Sequence, residues 1–320
     1  MADIIGLVLP FFGMILLGYV VAKITKQPVE ALGWLNTFII YIALPALFFK
    51  LVAKTPIEQL TRVDFIIADV GATYLVFCLI FALGLSLRRA SVGEATMQGL
   101  AAAYGNIGYM GPGLALLAFG EPAAVPVALV FCFENMLHFM VAPALMALAG
   151  GEKRPAHQVV SGILHKIVTH PFIIATAAGF AAAFAGFQPP QSLQRLIDYL
   201  AQAAAPCALF AMGVTLALRP LKRVPVEIGY IVPAKLVLLP VTMYLVLGLA
   251  GNFDPVWVYT AVLLAALPTA TNVFVIGQQY GVWQERASAT ILITTVLSVA
   301  TVTIVLYLIK SGLLPGDPFP

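Results

Sequence analysis

Residues 104–113 read Tyr-Gly-Asn-Ile-Gly-Tyr-Met-Gly-Pro-Gly. Four glycines, a proline and an asparagine stand here inside a run, 94–119, that is otherwise apolar and long enough to cross a bilayer as a helix. A helix in lipid satisfies every backbone amide and carbonyl internally. Gly105, Gly108, Gly111, Pro112 and Gly113 undo that, because proline removes a donor and glycine frees the chain to leave the helical region. A second interruption, Leu267-Pro268-Thr269-Ala270-Thr271-Asn272, falls at the middle of the apolar run 255–280. Both breaks sit at the same depth. Unwound backbone at that depth is tolerated only where it is buried in protein or lines a cavity.

The rest of the chain sets these breaks in context. Of its 320 residues 61% are hydrophobic and 10% charged, and the mean hydropathy is +0.99. No soluble domain with a polar surface has this composition, so the chain reads as an all-α polytopic membrane protein. At about 20 apolar residues per crossing, ten spans are expected: 4–24, 31–53, 64–87, 94–119, 122–149, 169–187, 191–218, 224–250, 255–280 and 286–310. The first follows Met-Ala-Asp with no basic leader and no small-residue cleavage signal, so it reads as a retained helix. The longest connection, 150–168, carries Glu152, Lys153, Arg154, His157, His165 and Lys166 near the chain midpoint and reads as a cytoplasmic linker. It separates a first five-helix repeat, 1–149, from a second, 169–320.

The basic residues set the orientation, because short loops rich in Lys and Arg stay in the cytoplasm. Eleven of them share one face: Lys23, Lys26, Arg88, Arg89, Lys153, Arg154, Lys166, Arg219, Lys222, Arg223 and Arg286. Five, Lys50, Lys54, Arg62, Arg195 and Lys310, share the other, which puts both termini outside the cytoplasm. The net charge of +3 therefore reflects topology and does not argue for a nucleic-acid partner.

The halves also resemble each other. Leu44-Pro45-Ala46-Leu47-Phe48 in span 2 matches Ala205-Pro206-Cys207-Ala208-Leu209-Phe210 in span 7, and Phe119-Gly120 after span 4 matches Tyr280-Gly281 after span 9. Five spans per half is an odd number, so the second repeat is inverted, as in secondary transporters. The half-helices starting near Pro112 and Asn272 would then present two positive N-termini to the midplane, an anion site with Asn106 and Asn272 as side-chain donors. The glycines have a second reading, close helix packing, since Gly105, Gly108 and Gly111 recur every three residues.

The segment Asn106-Ile107-Gly108-Tyr109-Met110-Gly111-Pro112 ahead of Phe119-Gly120, together with Leu267–Phe274 ahead of Tyr280-Gly281, resembles the two crossover segments of the auxin efflux carrier family. That family includes plant PIN auxin exporters and bacterial relatives associated with malonate and other organic acids. The resemblance covers nearly the whole chain. It implies a fold like the bile-acid sodium symporters and sodium/proton antiporters, with broken helices 4 and 9 crossing, helices 1, 2, 6 and 7 as scaffold, and helices 3–5 and 8–10 as a moving transport domain. The substrate would be a small organic anion, exported or exchanged across a bacterial inner membrane. The binding set is then Asn106, Gly108, Gly111, Pro112, Pro268, Thr269, Thr271 and Asn272. A homodimer is the expected assembly.

Ionisable residues inside spans are costly and usually functional. Asp69 and Lys235 occupy related places in the two repeats, while Glu134 and His138 are four apart on one helical face beside Asn135. A proton or cation relay and a set of structural polar pairs are the two readings of these four. Thr294, Ser298 and Thr301 form a stripe that reads as interhelical hydrogen bonding bracing span 9. Cys78, Cys132 and Cys207 all fall within spans and read as inert thiols, with no metal or cofactor implied. No His is followed by Glu-x-x-His, and the lone Gly84-Leu85-Ser86 abuts Arg88 and Arg89, so an enzyme is not expected. The alternatives that remain are a sodium-coupled symporter of the bile-acid type and, behind it, a channel.

Overall fold

The structure, a computed structural model, describes residues 2–149, 158, 161–162, 164–165, 168–218 and 224–319. Most of the expected linker, and with it Lys153, Arg154 and Lys166, lies outside the described residues, as do Arg219, Lys222 and Arg223. Within them the chain is helical apart from one bridged pair of extended residues. The helices are α1 (Ala2–Thr25), α2 (Glu30–Ala53), α3 (Val63–Leu87), α4 (Val92–Ala103), α5 (Gly111–Phe119), α6 (Ala124–Leu148), α7 (Pro171–Phe184), α8 (Gln191–Leu218), α9 (Ile228–Ala250), α10 (Pro255–Ala265), α11 (Thr271–Tyr280) and α12 (Gln284–Lys310). Among the described residues seven are long and apolar enough to cross a membrane. The expected spans 94–119, 169–187 and 255–280 hold only shorter helices, the first and last as the pairs α4/α5 and α10/α11.

Local chemistry explains where helices start and bend. Ser91 opens α4 with a capping box: its hydroxyl accepts from the Glu94 amide at 3.2 Å while Glu94 accepts from the Ser91 amide at 3.4 Å. Asp254 caps α10 ahead of Pro255, accepting from the Val256 amide at 2.8 Å. Two helices carry a π turn, Ile39–Ala43 in α2 and Ala234–Leu238 in α9. Pro45 and Pro240 each stand two residues after the end of such a turn, and the wider turn absorbs the missing donor and the ring's clash with the preceding carbonyl. Gly281 closes α11 in the left-handed region, φ +68°, with the Val282 amide returning to the Gly277 carbonyl at 2.9 Å.

Packing follows two groupings. α1 lies along α8, and α7 and α8 pack on α2. Contact between α1 and α8 is close enough that a Cβ on Gly18 would meet the Phe210 carbonyl and one on Gly213 the Ile15 carbonyl. Lys50 of α2 reaches Asp198 of α8 at 2.6 Å. In the other grouping α3 packs on α4 and α9, α9 on α10, and α11 on α12. Apolar side chains such as Leu16, Ile67, Leu75 and Leu249 stand exposed on the outside. Such a surface suits lipid contact.

The breaks join the two halves at the centre. α4 stops at Ala103 and α10 at Ala265, and the extended residues that follow run antiparallel, Gly105 against Thr269. The Asn106 amide donates to the Pro268 carbonyl at 2.8 Å and the Ala270 amide to the Tyr104 carbonyl at 2.9 Å. Each interruption thus satisfies the backbone groups that the other exposes, which is what burial without water demands. Thr269 adds two bonds: its hydroxyl donates to the Ala101 carbonyl at 2.7 Å, and its amide donates to the Thr294 hydroxyl at 3.2 Å. Of the α12 stripe, Thr294 therefore braces the second break. Ser298 donates to its own helix at Thr295, and the Thr301 hydroxyl is buried with no partner among the described residues.

Candidate functional site

A cavity of about 500 Å³ opens against this bridge. That volume lies within the usual range of small-molecule sites. The first break contributes Tyr104, Gly105, Asn106, Gly108 and Tyr109 to its wall, and the second contributes Ala270, Thr271 and Asn272. Phe131 and Asn135 of α6, His170 and Phe172 at the start of α7, and Met212 of α8 complete the side that matters chemically. α11 begins here at Thr271, so its N-terminus, carrying about half a positive charge, stands at the cavity wall with Asn272, while α5 begins at Gly111, behind that wall.

The structure divides the sequence-predicted set. Asn106, Gly108, Thr271 and Asn272 line the cavity. Gly111, Pro112, Pro268 and Thr269 do not; they build the wall behind it. A Cβ on Gly111 would come within 2.7 Å of Leu264 Cδ2, so that glycine permits close packing of α5 on α10. Gly108 is tight as well, with Phe131 Cε2 2.9 Å from where a Cβ would stand.

Both asparagine amides have protein partners. Asn106 Nδ2 lies 3.1 Å from the thioether of Met212, a weak acceptor across the gap to α8. Asn272 Nδ2 donates to the Tyr104 hydroxyl at 2.6 Å, and that hydroxyl donates to Asn135 Oδ1. Asn135 Nδ2 in turn donates to the Phe131 carbonyl at 2.7 Å. The sequence reading passed over Tyr104, although it heads the decisive stretch; a tyrosine in mid-membrane needs a partner for its hydroxyl, and that was the available signal.

Behind Tyr104 lie the four buried ionisable residues. Asp69, Glu134, His138 and Lys235 are 1%, 4%, 0% and 0% exposed. The His138 ring stacks on Tyr104 with centroids 4.2 Å apart, its Nδ1 is 3.1 Å from the Tyr74 hydroxyl, and its Nε2 is buried with no partner among the described residues. Glu134 accepts from Thr73 at 2.6 Å. Lys235 sits in the π turn of α9 and donates to the Ala265 carbonyl at 2.6 Å, capping the negative end of α10. A larger cavity, about 820 Å³, lies at Arg88, Glu94, Gln98, Glu227 and Arg286. It contains none of the predicted site residues, and Arg286 there bridges Glu227 at 2.9 Å and Glu94 at 3.3 Å.

An all-helical chain with several membrane-length apolar helices, holding a mostly apolar cavity with a few amide, hydroxyl and imidazole groups on its wall, is a multi-pass membrane protein with a place for a small ligand. Residues 3–131 and 137–306 match the family described as "Membrane transport protein", so the chain belongs to that family, which is the auxin efflux carrier group its two interrupted segments resemble. It is 74% identical over 320 residues, the full length of both chains, to a protein of Rhizobium meliloti (strain 1021) named "Putative malonate transporter". It is 23% identical over 307 residues, 95% of this chain and 96% of the relative, to "Uncharacterized transporter YfdV" of Escherichia coli (strain K12), and equally to the protein of that name in Shigella flexneri. These are transporters, not enzymes.

Proposed function

We propose that the protein is a secondary transporter, an exporter or exchanger, of a small organic anion that binds as a carboxylate where α4/α5 crosses α10/α11. One observation carries the reading: Asn106 and Asn272, from opposite halves of the chain, line one cavity at the N-terminus of α11. Backbone amides at such ends and side-chain amides suit an anion without placing a full cation in the site. The name of the Rhizobium relative points to malonate among the candidate anions.

In this reading ten helices cross the bacterial cytoplasmic membrane as two inverted repeats, 1–149 and 169–320, with both termini outside the cytoplasm. α4/α5 and α10/α11 are the broken crossing pairs. The helices α1, α2, α7 and α8, which pack on one another, form a static scaffold through which two copies associate. The remaining helices move as a body and carry the anion in an elevator cycle. Protons couple to transport through Asp69, Glu134, His138 and Lys235, which adjoin the site through Tyr104 and the α9 turn.

Calorimetric titration of purified Asn106→Ala and Asn272→Ala with a panel of monocarboxylates, dicarboxylates and indole acids tests the site. Loss of one hydrogen bond to a charged group predicts a weakening of about 1–3 kcal/mol in each. Affinities equal to the native protein in both variants would refute the assignment.

A further inference from the structure

α10 and α11 are two short helices in succession, and the residues between them, 266–270, lack the helical hydrogen bonds that would make the pair one rod. α12 is unbroken over Gln284–Lys310 and packs on both. Near its start Gly281 hands it the end of α11, and in mid-helix the Thr294 hydroxyl accepts from the Thr269 amide inside the break. A rod held at one end and at its middle splints the pair only if its far end is held as well.

The residues that follow α12 hold that end. Gly312 turns the chain out of the helix in the left-handed region, φ +72°, with the Leu314 amide returning to the Leu308 carbonyl at 3.0 Å. The segment then lies across the start of α10 and the end of α9. The Leu314 carbonyl accepts from the Tyr259 hydroxyl of α10 at 3.0 Å, and the Pro315 carbonyl accepts from the Tyr244 hydroxyl of α9 at 2.8 Å. A Cβ on Gly316 would stand 2.7 Å from Pro255 Cβ at the first turn of α10, and one on Gly248 of α9 would collide with Pro318. Pro315 and Pro318 reduce the entropy lost when the segment is held in place.

We propose that α12 is a splint for the broken pair and that residues 311–319 are the strap that ties its far end to α10 and α9. The strap offsets the helical bonds missing at 266–270, so that α10, α11 and α12 keep one geometry as a unit. Its effect on transport rests on the moving-bundle reading above; its effect on the break does not.

The test uses the intact, purified chain. Tyr244→Phe combined with Tyr259→Phe removes both hydroxyls and keeps both rings. Amide hydrogen exchange should then accelerate about tenfold or more at 312–319 and also at 256–270, the scale set by losing two hydrogen bonds. Acceleration confined to 312–319, or none at all, would overturn the inference, because a segment that folds only against its neighbours leaves the break protected. Gly248→Cys with Pro318→Cys, oxidised in the same double-Phe background, should return 256–270 to the native exchange rate; continued fast exchange there would count equally against the strap. In proteoliposomes the double-Phe variant should lower malonate turnover about tenfold with affinity within about twofold, since the strap meets α10 at the end away from Asn272. Unchanged turnover despite a deprotected break would overturn the strap's part in transport. A native protein that moves no malonate would refute the transport reading above, and the exchange data would still decide the strap.

Discussion

Gly108→Ala adds one methyl at the tightest point of the cavity wall. The new carbon would stand 2.9 Å from Phe131 Cε2 and 3.8 Å from Cδ2. Carbon atoms rest at about 3.5–4.0 Å, so the ring must retreat by roughly 0.6–1 Å. It has little room to do so, because its far face stacks on Phe48 with centroids 3.8 Å apart, and Phe172 meets it edge-on at 5.3 Å. Over-packing a filled site of this kind costs about 1–3 kcal/mol. Gly108 and Phe131 both line the cavity, and Asn135 donates to the Phe131 carbonyl, so the displacement reaches the Tyr104–Asn272 network. The expected outcome for Gly108→Ala is a lower thermal midpoint and a carboxylate affinity reduced about tenfold or more. Phe131→Leu removes the offending ring carbon, so the double variant should recover at least about 1 kcal/mol relative to the sum of the singles. Thermal unfolding in detergent and calorimetric binding measure both quantities. If Gly108→Ala matches the native protein in stability and affinity, or if the two substitutions are additive, the packing argument is wrong.

Three further outcomes are expected. Gly213→Ala places a methyl against the Ile15 carbonyl of α1 and should lower the thermal midpoint, by about 1–3 kcal/mol in stability; an unchanged midpoint would mean that α1 and α8 part freely and are no rigid scaffold. In proteoliposomes an imposed pH gradient, acid on one side, should alter both initial rate and accumulation of the anion; exchange that continues with neither affected would return Asp69, Glu134, His138 and Lys235 to a structural role. Single cysteines at positions 153 and 222 should resist an impermeant thiol reagent in intact cells while those at 56 and 317 react, as the eleven-to-five distribution of basic residues requires. The opposite labelling would invert the topology.

Much of this protein was legible before any coordinates. Composition alone placed the chain in a membrane, because runs of about 20 apolar residues suit helices whose backbone groups are satisfied internally in lipid. The breaks at 104–113 and 267–272 were equally plain, since Gly and Pro in mid-span cannot be neutral there. Asn106, Gly108, Thr271 and Asn272 followed from those breaks, and all four line the cavity.

Only the tertiary structure decided which partners those groups take. Residues 105 and 269 are far apart in the chain, and no local pattern announces that their backbones pair. The same holds for Asn272 on Tyr104, Lys235 on the Ala265 carbonyl and Asn106 on Met212. Periodicity and propensity act within a few residues, so they can mark a polar group as costly in lipid and cannot say what relieves the cost. Pro112, Pro268 and Thr269 carry the marks of a binding site in one dimension, and in three they form the wall behind it. Tyr104 and His170 carry weak marks and stand on the cavity itself. The reason is physical: burial and hydrogen-bond satisfaction belong to the packed assembly of helices, and a residue's share in them is settled only when its neighbours from distant spans arrive.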